Sequence, residues 1–432
     1  MKISVKKDVP VVGKYGAVIC GGGPAGWVAA VAAARQGCRT ALVERFGFLG
    51  GTATAGLVMP ISAFYNNNVR VVGGIPWEFI LELIRLNAAR VELPRGHIST
   101  DPEYYKLAAQ RMVLNAGVDV YTNSYLSGAV TDGRNVRAVL IENKNGTEAL
   151  EGDYFVDATG DGDLCAMAGA EMLRFACPQP LSMEFTLTEV DLTTPLLRDS
   201  IRHDGRNGRS VHTEIHSYLN ALYKEGRCPN FCGPWFNTLV KGDRITVNIT
   251  RSTASILDNR EFARGEFQLR EDIFTLVKLL RERYPEFRNC VIDSTAVSAG
   301  TREGRHLVGV HTLTGEELLA GVDFPDSVAR NAHPVDIHAP SAGEQTLTEM
   351  PHSGHIPYRA MISPALDNLL AAGRILSADS MAHATIRIQG TAMATGEAAG
   401  TAAALCSSGK CTVHTLHVDA LRRTLVANGC II

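Results

Sequence analysis

No stretch of this sequence approaches the ~20 consecutive apolar residues that a membrane span requires. The most apolar helical candidate, residues 391–405, is mostly alanine and glycine and carries Glu397, so it reads as a buried helix. The opening residues Met1-Lys2-Ile3-Ser4-Val5-Lys6-Lys7 lack the apolar centre of a signal peptide. Charge of one sign is also scarce. A formal net charge of −3 gives no reason to expect a nucleic-acid or polyanion partner. The ten cysteines contain no C-x-x-C. The nearest two, Cys228 and Cys232, have no second ligand pair at a zinc-like distance, so no metal is expected. Cys20 reads as a small core residue, and the scattered thiols suit a reducing, cytoplasmic compartment. No internal repeat or low-complexity segment interrupts the chain.

What is present is informative from the start. The 432 residues, 45% hydrophobic and 20% charged, suffice for two or three domains with sizeable cores. Residues 16–20 form a short apolar strand, residues 21–26 read Gly-Gly-Gly-Pro-Ala-Gly, a helical stretch runs to about Gln36, and a second strand ends at Glu44. This is a βαβ unit with G-x-G-x-x-G on Gly21, Gly23 and Gly26. The first glycine permits the tight turn, the second lets a pyrophosphate approach the backbone, and the third lets helix and strand pack closely. The helix N-terminus presents free N–H groups and a positive dipole end to phosphates. Glu44 stands roughly 20 residues on, where an acid accepts from ribose hydroxyls. Dinucleotide binding is therefore expected.

A glycine-rich stretch, residues 46–52 with Gly51 and Thr52 at its end, suits a second wall of the cofactor groove. Residues 76–89 and 102–116 read as helices, the latter with Asp101 as N-cap and Pro102 at its first position. A short strand over residues 118–121 precedes a meander over 125–130, 136–142 and 147–151. A further apolar strand, residues 154–157, ends in Asp157-Ala158-Thr159-Gly160-Asp161 and faces the cofactor's adenosine half, with a helix over 164–170 behind it. Strands are expected over 181–190, 235–239, 244–249 and 289–297, and helices over 211–224 and 261–283. The region from about 171 to 355 holds nine of the thirteen histidines and reads as an inserted unit. A strand over 368–374, a loop through Asp379, a long helix from about Gly390 and a last helix over 413–426 complete the chain.

Three distant elements point to one ligand: the glycine motif with Glu44, the strand end at Ala158 and Gly160, and the block Gly373-Arg374, Asp379, Gly390-Thr391-Ala392. With Arg302-Glu303-Gly304-Arg305, Pro334-Val335-Asp336-Ile337-His338, Ile356-Pro357-Tyr358-Arg359 and Ala394-Thr395-Gly396-Glu397-Ala398-Ala399-Gly400, the chain resembles the FAD-dependent oxidoreductases of the FAD_oxidored type. These belong to the glutathione-reductase-like superfamily. The paired motifs point to FAD, whereas the first alone would also suit NAD. The resemblance implies an α/β fold. It predicts a Rossmann-type βαβ domain with a β-meander over residues 1–170 and 356–432, and an inserted mixed α/β substrate domain over residues 171–355. It implies that Gly21, Gly23, Pro24, Ala25 and Gly26 cradle pyrophosphate, and that Glu44 and Arg45 hold the adenosine ribose. Leu126 would lie near adenine, Asp379 would meet pyrophosphate-side or ribityl groups, and Gln389, Gly390, Thr391 and Ala392 would meet the flavin ring. A helix starting there aims its positive end at the charge that a reduced flavin carries. The small residues Ala392, Gly396, Ala399, Gly400 and Ala403 would let this helix lie tightly beneath the cofactor.

The chemistry should come from the inserted unit and its return. Arg302, Arg305 and His306 fall in one short segment, where an arginine fork suits a carboxylate and a histidine could move a proton. Asp336 and His338 share a side if extended, and His352, His355, Tyr358 and Arg359 cluster before the chain re-enters the first domain. Arg302, Arg305, His338, His355 and Arg359 are thus the catalytic candidates. There is no second dinucleotide fingerprint, and the redox-active C-x-x-x-x-C of disulfide reductases is missing from the stretch directly after the first βαβ, which argues against the two-domain pyridine-nucleotide and disulfide reductases. The expected activity is dehydrogenation or reduction of a small polar metabolite, with or without a carboxylate, and with an unidentified electron acceptor or donor. An FAD-dependent monooxygenase using NAD(P)H and oxygen is the first alternative. A non-catalytic flavin-binding subunit or sensor is the second. A homo-oligomer is left open.

Overall fold

The computed structural model describes residues 3, 6–93, 96–197, 213–240, 244–340 and 345–432. The residues expected to start the helix at 211, and the expected histidines 203 and 212, lie outside these. The opening unit forms as the sequence predicts: β1 (Val11–Cys20), α1 (Pro24–Arg35) and β2 (Thr40–Val43). Helices α2 (Gly74–Arg85) and α3 (Pro102–Asn115) follow. Asp101 caps α3 by accepting from the Glu103 N–H, and Pro102 occupies the first turn, where no intrahelical N–H is needed. Next come β3 (Asp119–Tyr121) and the meander β4 (Tyr125–Asp132), β5 (Asn135–Asn143) and β6 (Gly146–Asp157).

These strands make one sheet in the order β3-β2-β1-β6-β5-β4. Its left half is parallel and its right half is the antiparallel meander. The third meander strand and the strand expected over 154–157 are one continuous element. Gly152 and Asp153 read as a break, but β1 pairs with β6 along its length, from Ala149 to Asp157, and holds the chain extended. Gly152 is also where a Cβ would fall 2.9 Å from Val18 and Phe155 side-chain atoms, so only glycine lets these rings and methyls close over the strand.

The second sheet consists of β7 (Phe185–Thr188), β8 (Phe231–Thr238), β9 (Ile245–Thr250) and β10 (Val291–Thr295), antiparallel and ordered β8-β9-β7-β10. Helices α4 (Asp163–Met167), α5 (Thr213–Lys224) and α6 (Asn259–Arg283) accompany the passage from one sheet to the other. The chain then runs through α7 (Gly315–Ala320), a hairpin of β11 (Val335–His338) and β12 (Gln345–Thr348), and β13 (Leu369–Ala371). β13 returns to the first sheet, parallel to the C-terminal end of β6. Helices α8 (Ser380–Ile386), α9 (Gln389–Gly409) and α10 (Val418–Ala427) end the fold.

Burial divides the apolar residues into two clusters. The first gathers the Rossmann strands, α1, α9 and, from Leu307 to Ile356, residues of the stretch expected in the insertion. The second contains Leu57 together with residues from Leu181 to Ala299. The polypeptide therefore rejoins the first core near residue 307, about fifty residues ahead of the expected boundary at 356. Among the described residues no helix is long and apolar enough to cross a membrane.

Candidate active site

The turn between β1 and α1 forms one wall of a groove. Gly21 has φ of +99°, and a Cβ there would lie 2.4 Å from the Ala158 carbonyl oxygen, so the turn and the end of β6 touch backbone to backbone. A Cβ on Gly26 would meet the Gly21 carbonyl at 1.7 Å, which is the close helix–strand packing expected of the third glycine. A Cβ at Gly23 would have only Gly51 within reach, at 3.9 Å, so the backbone there faces open space. Gly21, Gly23, Pro24, Ala25, Glu44, Arg45, Gly51, Thr52, Ala158, Gly160, Gln389 and Ala392 all line this groove. The buried Glu44 carboxylate accepts from the Gly22 N–H at 2.6 Å and the Phe46 N–H at 2.8 Å, so it also ties the two walls together. Burial raises its pKa against those two bonds.

Other expected contacts lie elsewhere. Leu126 pairs with Ile141 in the meander and packs on the first core, outside the groove lining. Asp379 is not in the groove: its carboxylate caps α8 by accepting from the Ala382 N–H at 2.7 Å and also accepts from the Gly315 N–H at 3.1 Å. The sequence reads a loop there, whereas the acid starts a seven-residue helix. Gly390 faces the Ser62 carbonyl and the Phe64 ring, and the buried Thr391 hydroxyl donates to Asn331 at 2.8 Å. Only Gln389 and Ala392 of that turn reach the groove. The small residues Gly396 and Gly400 further along α9 face α1. A Cβ on Gly396 would fall 2.1 Å from the Ala25 carbonyl, and one on Gly400 2.0 Å from that of Ala29, so they admit α1.

The groove opens into a second cavity of about 430 Å³, the size of ordinary small-molecule sites. Thr52, Thr301, Arg374, Arg387 and Gln389 belong to both. At this junction three sealed polar atoms lack a hydrogen-bond partner: Arg374 Nε, Arg387 Nε and Gln389 Oε1. Native interiors rarely leave such atoms unmatched. The helices α1 and α9 both begin at the groove without a side-chain cap, leaving their first N–H groups for a ligand. A pyrophosphate-containing, flavin-bearing ligand fits this donor set.

The cavity brings together Arg302, His338, Asp336, Glu184, Trp235 and Arg387. Arg302 is buried and donates to the Pro180 carbonyl at 2.7 Å and to Ser182 Oγ at 2.8 Å. Arg251, just behind it, donates to the same Ser182 oxygen at 2.7 Å. Among the described residues neither guanidinium has a carboxylate within ion-pair distance. Burial pushes the Arg302 pKa well down, and repulsion from Arg251 and Arg387 adds to it. His338 and Asp336 do share a side, with Nε2 3.0 Å from Oδ2. A guanidinium only donates, so the 3.4 Å contact from Arg251 makes Nδ1 the acceptor and leaves the proton on Nε2, facing Asp336. Burial and the neighbouring Arg302 push the His338 pKa down to about 3, so the ring is neutral. Burial would raise Asp336, but the hydrogen bond donated by the His338 ring and the charge of Arg387 outweigh it and hold the carboxylate ionised.

The remaining candidates lie outside the cavity lining. Arg305 pairs with Asp163 and donates to the Asp161 carbonyl at 2.9 Å, outside the cavity lining. His306 turns the other way and is fully buried against His383 and Phe175. His355 sits 3.2 Å from Ser327 Oγ and 3.5 Å from Asp323, and Arg359 pairs with Asp326, both away from the cavity. Spacing suggested a cluster, but Arg302 lies on Ser182, Arg305 on Asp163, and Glu303 and His306 both lie against His383. Glu184, Arg251 and Arg387 were missed. The signal for Glu184 was an acid inside the apolar strand Leu181-Ser182-Met183-Glu184-Phe185. Among the described residues no group of three or more His, Cys, Asp or Glu could hold a metal ion.

Comparison with known proteins decides the assignment. The family described as FAD dependent oxidoreductase matches residues 17–425. The chain belongs to this family. FAD is accordingly its cofactor, and an oxidoreductase its enzyme class. A dihydrolipoyl dehydrogenase of Bacillus subtilis (strain 168) is 33% identical over 156 residues, covering 33% of this FAD-dependent oxidoreductase and 30% of that enzyme. A second, from Trypanosoma brucei brucei, is 54% identical over 47 residues, covering 11% and 10%. The chain thus spans less than a third of the length of these curated relatives, and the matches agree with a glutathione-reductase-like placement. Among solved structures, a geranylgeranyl bacteriochlorophyll reductase-like protein from Thermoplasma acidophilum is 13% identical, with 96% and 91% coverage and a TM-score of 0.47. The flavin-dependent brominase Bmp2 is 10% identical, with 96% and 83% coverage and a TM-score of 0.49. The OxyS anhydrotetracycline hydroxylase from Streptomyces rimosus is 13% identical, with 96% and 67% coverage and a TM-score of 0.45.

Proposed function

We propose that this FAD-dependent oxidoreductase acts on a small carboxylate-bearing metabolite held in the 430 Å³ cavity, with Arg302 as the carboxylate anchor. One observation carries the reading. Arg302 is a buried cation, with no carboxylate at ion-pair distance among the described residues, on the wall of a cavity continuous with the cofactor groove. A guanidinium taken out of water is stabilised by an anion with matching fork geometry, and Arg251 behind it adds to the local positive potential. Gly21, Gly23, Glu44, Ala158 and Gln389 would hold FAD, which supplies two-electron transfer when bound. His338 would present a fixed neutral ring, oriented by Asp336 and Arg251. Leucine, tryptophan and methionine side chains of the cavity would exclude water from the bound carboxylate.

Dehydrogenation or reduction of that metabolite is the first form of the reading. The second is monooxygenation with NAD(P)H and oxygen. Mixing the FAD-loaded protein anaerobically with candidate carboxylates, and separately with NADPH, separates them. Bleaching by a carboxylate alone supports the first form; bleaching by NADPH that a carboxylate accelerates supports the second. In either, Arg302→Ala should lower kcat/KM on the order of 30-fold or more, mainly through KM, because a buried charged contact is lost. Unchanged kinetics would remove Arg302 from the site.

A further inference from the structure

Glu184 is the unexplained group of the cavity. It lies two residues from Ser182 on the same extended run, and both line the cavity wall. The residue is 2% exposed, and its Oε2 is sealed without any hydrogen-bond partner. No guanidinium reaches ion-pair distance among the described residues, although Arg302 and Arg251 are close enough to act through space. Asp336, His338 and Arg387 line the same cavity. An ionised carboxylate left unmatched beside two arginines would be expected to close onto one of them. The geometry instead keeps Arg302 on Ser182 and leaves the acid apart, as a neutral carboxyl would be left.

We propose that Glu184 is a specificity-determining acid of the cavity, which donates its carboxyl proton in a hydrogen bond to an oxygen of the anion that Arg302 holds. The proposal rests on the carboxylate reading above and assigns the second contact that such a substrate makes. Burial raises the Glu184 pKa to about 8, against the pull of Arg302, Arg251 and a Met59 backbone bond, so the proton is present at neutral pH. A protonated acid and a guanidinium together satisfy both oxygens of one carboxylate. A second carboxylate in place of that acid would repel the ligand. The substrate class that follows is a small monocarboxylate whose second oxygen is open to a donor.

The test uses the FAD-loaded protein and benzoate as probe, an anion fully ionised from pH 6.5 to 9.5. Binding is read from the perturbed flavin absorbance or by calorimetry. The wild type should bind benzoate with constant affinity up to about pH 8 and about tenfold more weakly per unit above it, as the carboxyl loses its proton. Glu184→Gln keeps a neutral donor, so it should bind within about threefold of wild type at pH 6.5 and remain flat to pH 9.5. Glu184→Leu, which has no donor, should bind at least tenfold more weakly at pH 6.5. A wild type minus Glu184→Gln infrared difference at pH 7 should show a protonated-carboxyl band. That arm needs no ligand. A pH slope retained in Glu184→Gln, a flat wild-type profile or a missing band would overturn this proposal while leaving Arg302 as anchor. Failure of the wild type to bind benzoate at any pH would overturn both. Loss of binding in Arg302→Ala alone, with the Glu184 variants as expected, upholds both.

Discussion

At the scale of single residues, solvation decides which ionisable groups can work. His338 and Asp336 are neighbours on one strand, yet one is neutral and the other ionised, because the ring gains little from the carboxylate that burial and Arg302 do not remove. His338 should therefore remain neutral from pH 9 to pH 5, read from its imidazole nitrogen shifts. A titration midpoint above pH 5 would contradict this. The stability consequence follows in sign. The folded pKa, about 3, lies below the unfolded value of 6.5, so the unfolded chain takes up the proton first on acidification. The contribution of His338 is complete above about pH 6.5 and is lost as pH falls toward 3. A His338→Gln variant should accordingly lose less stability than wild type between pH 6.5 and 4, in urea unfolding at each pH.

At the scale of elements, the contact between α1 and α9 sets the groove. α1 carries Ala25 and Ala29 on the side where α9 carries Gly396 and Gly400, and the two backbones approach closer than any Cβ allows. Sixteen of the twenty-one α9 residues are buried, which explains why a helix so poor in large side chains is stable: its surroundings bury it on most sides. Propensity would disfavour two interior glycines by about 1 kcal/mol each. Close packing offsets that. Gly396→Ala should gain helix propensity but collide with the Ala25 carbonyl, for a net loss of about 1–3 kcal/mol in chemical unfolding. FAD affinity should fall with it, since Ala25 lines the groove. A variant as stable as wild type would mean that α1 and α9 can separate at little expense.

At the scale of the whole molecule, two cores meet along the cofactor path. Leu57 belongs to the second core although it follows the groove's glycine-rich wall, and Ser298, Ala299 and Thr301 line the groove although they follow the second sheet. A ligand in the groove touches both units and binds only when they are assembled. FAD at 100 times its dissociation constant should thus stabilise the folded protein by about 2.7 kcal/mol, with a melting temperature that climbs with the logarithm of added FAD. Melting that ignores FAD would show that the groove does not take it.

Local order along the chain was enough for the first βαβ unit, the meander and the long buried helix α9. Strand, turn and helix there depend on neighbouring residues: glycine where φ is positive, proline and aspartate at a helix start, apolar runs of strand length. The cofactor's first half was legible for the same reason, since its wall is one contiguous motif. The substrate side was not. Arg302 and His338 were picked out by residue type, but Ser182 lies 120 residues from Arg302 and Arg251 lies 87 residues from His338, and only folding brings these within hydrogen-bond range and Glu184 onto the same cavity wall. Arg305 and Arg359 have the same chemistry on paper but pair with Asp163 and Asp326, acids that spacing does not connect to them, and His355 sits beside Ser327 and Asp323, where burial lowers its pKa. Backbone geometry is a short-range property and can be read from consecutive residues. Charge, burial and access to a cavity are set by what the rest of the polypeptide places beside a side chain, and that is decided in three dimensions.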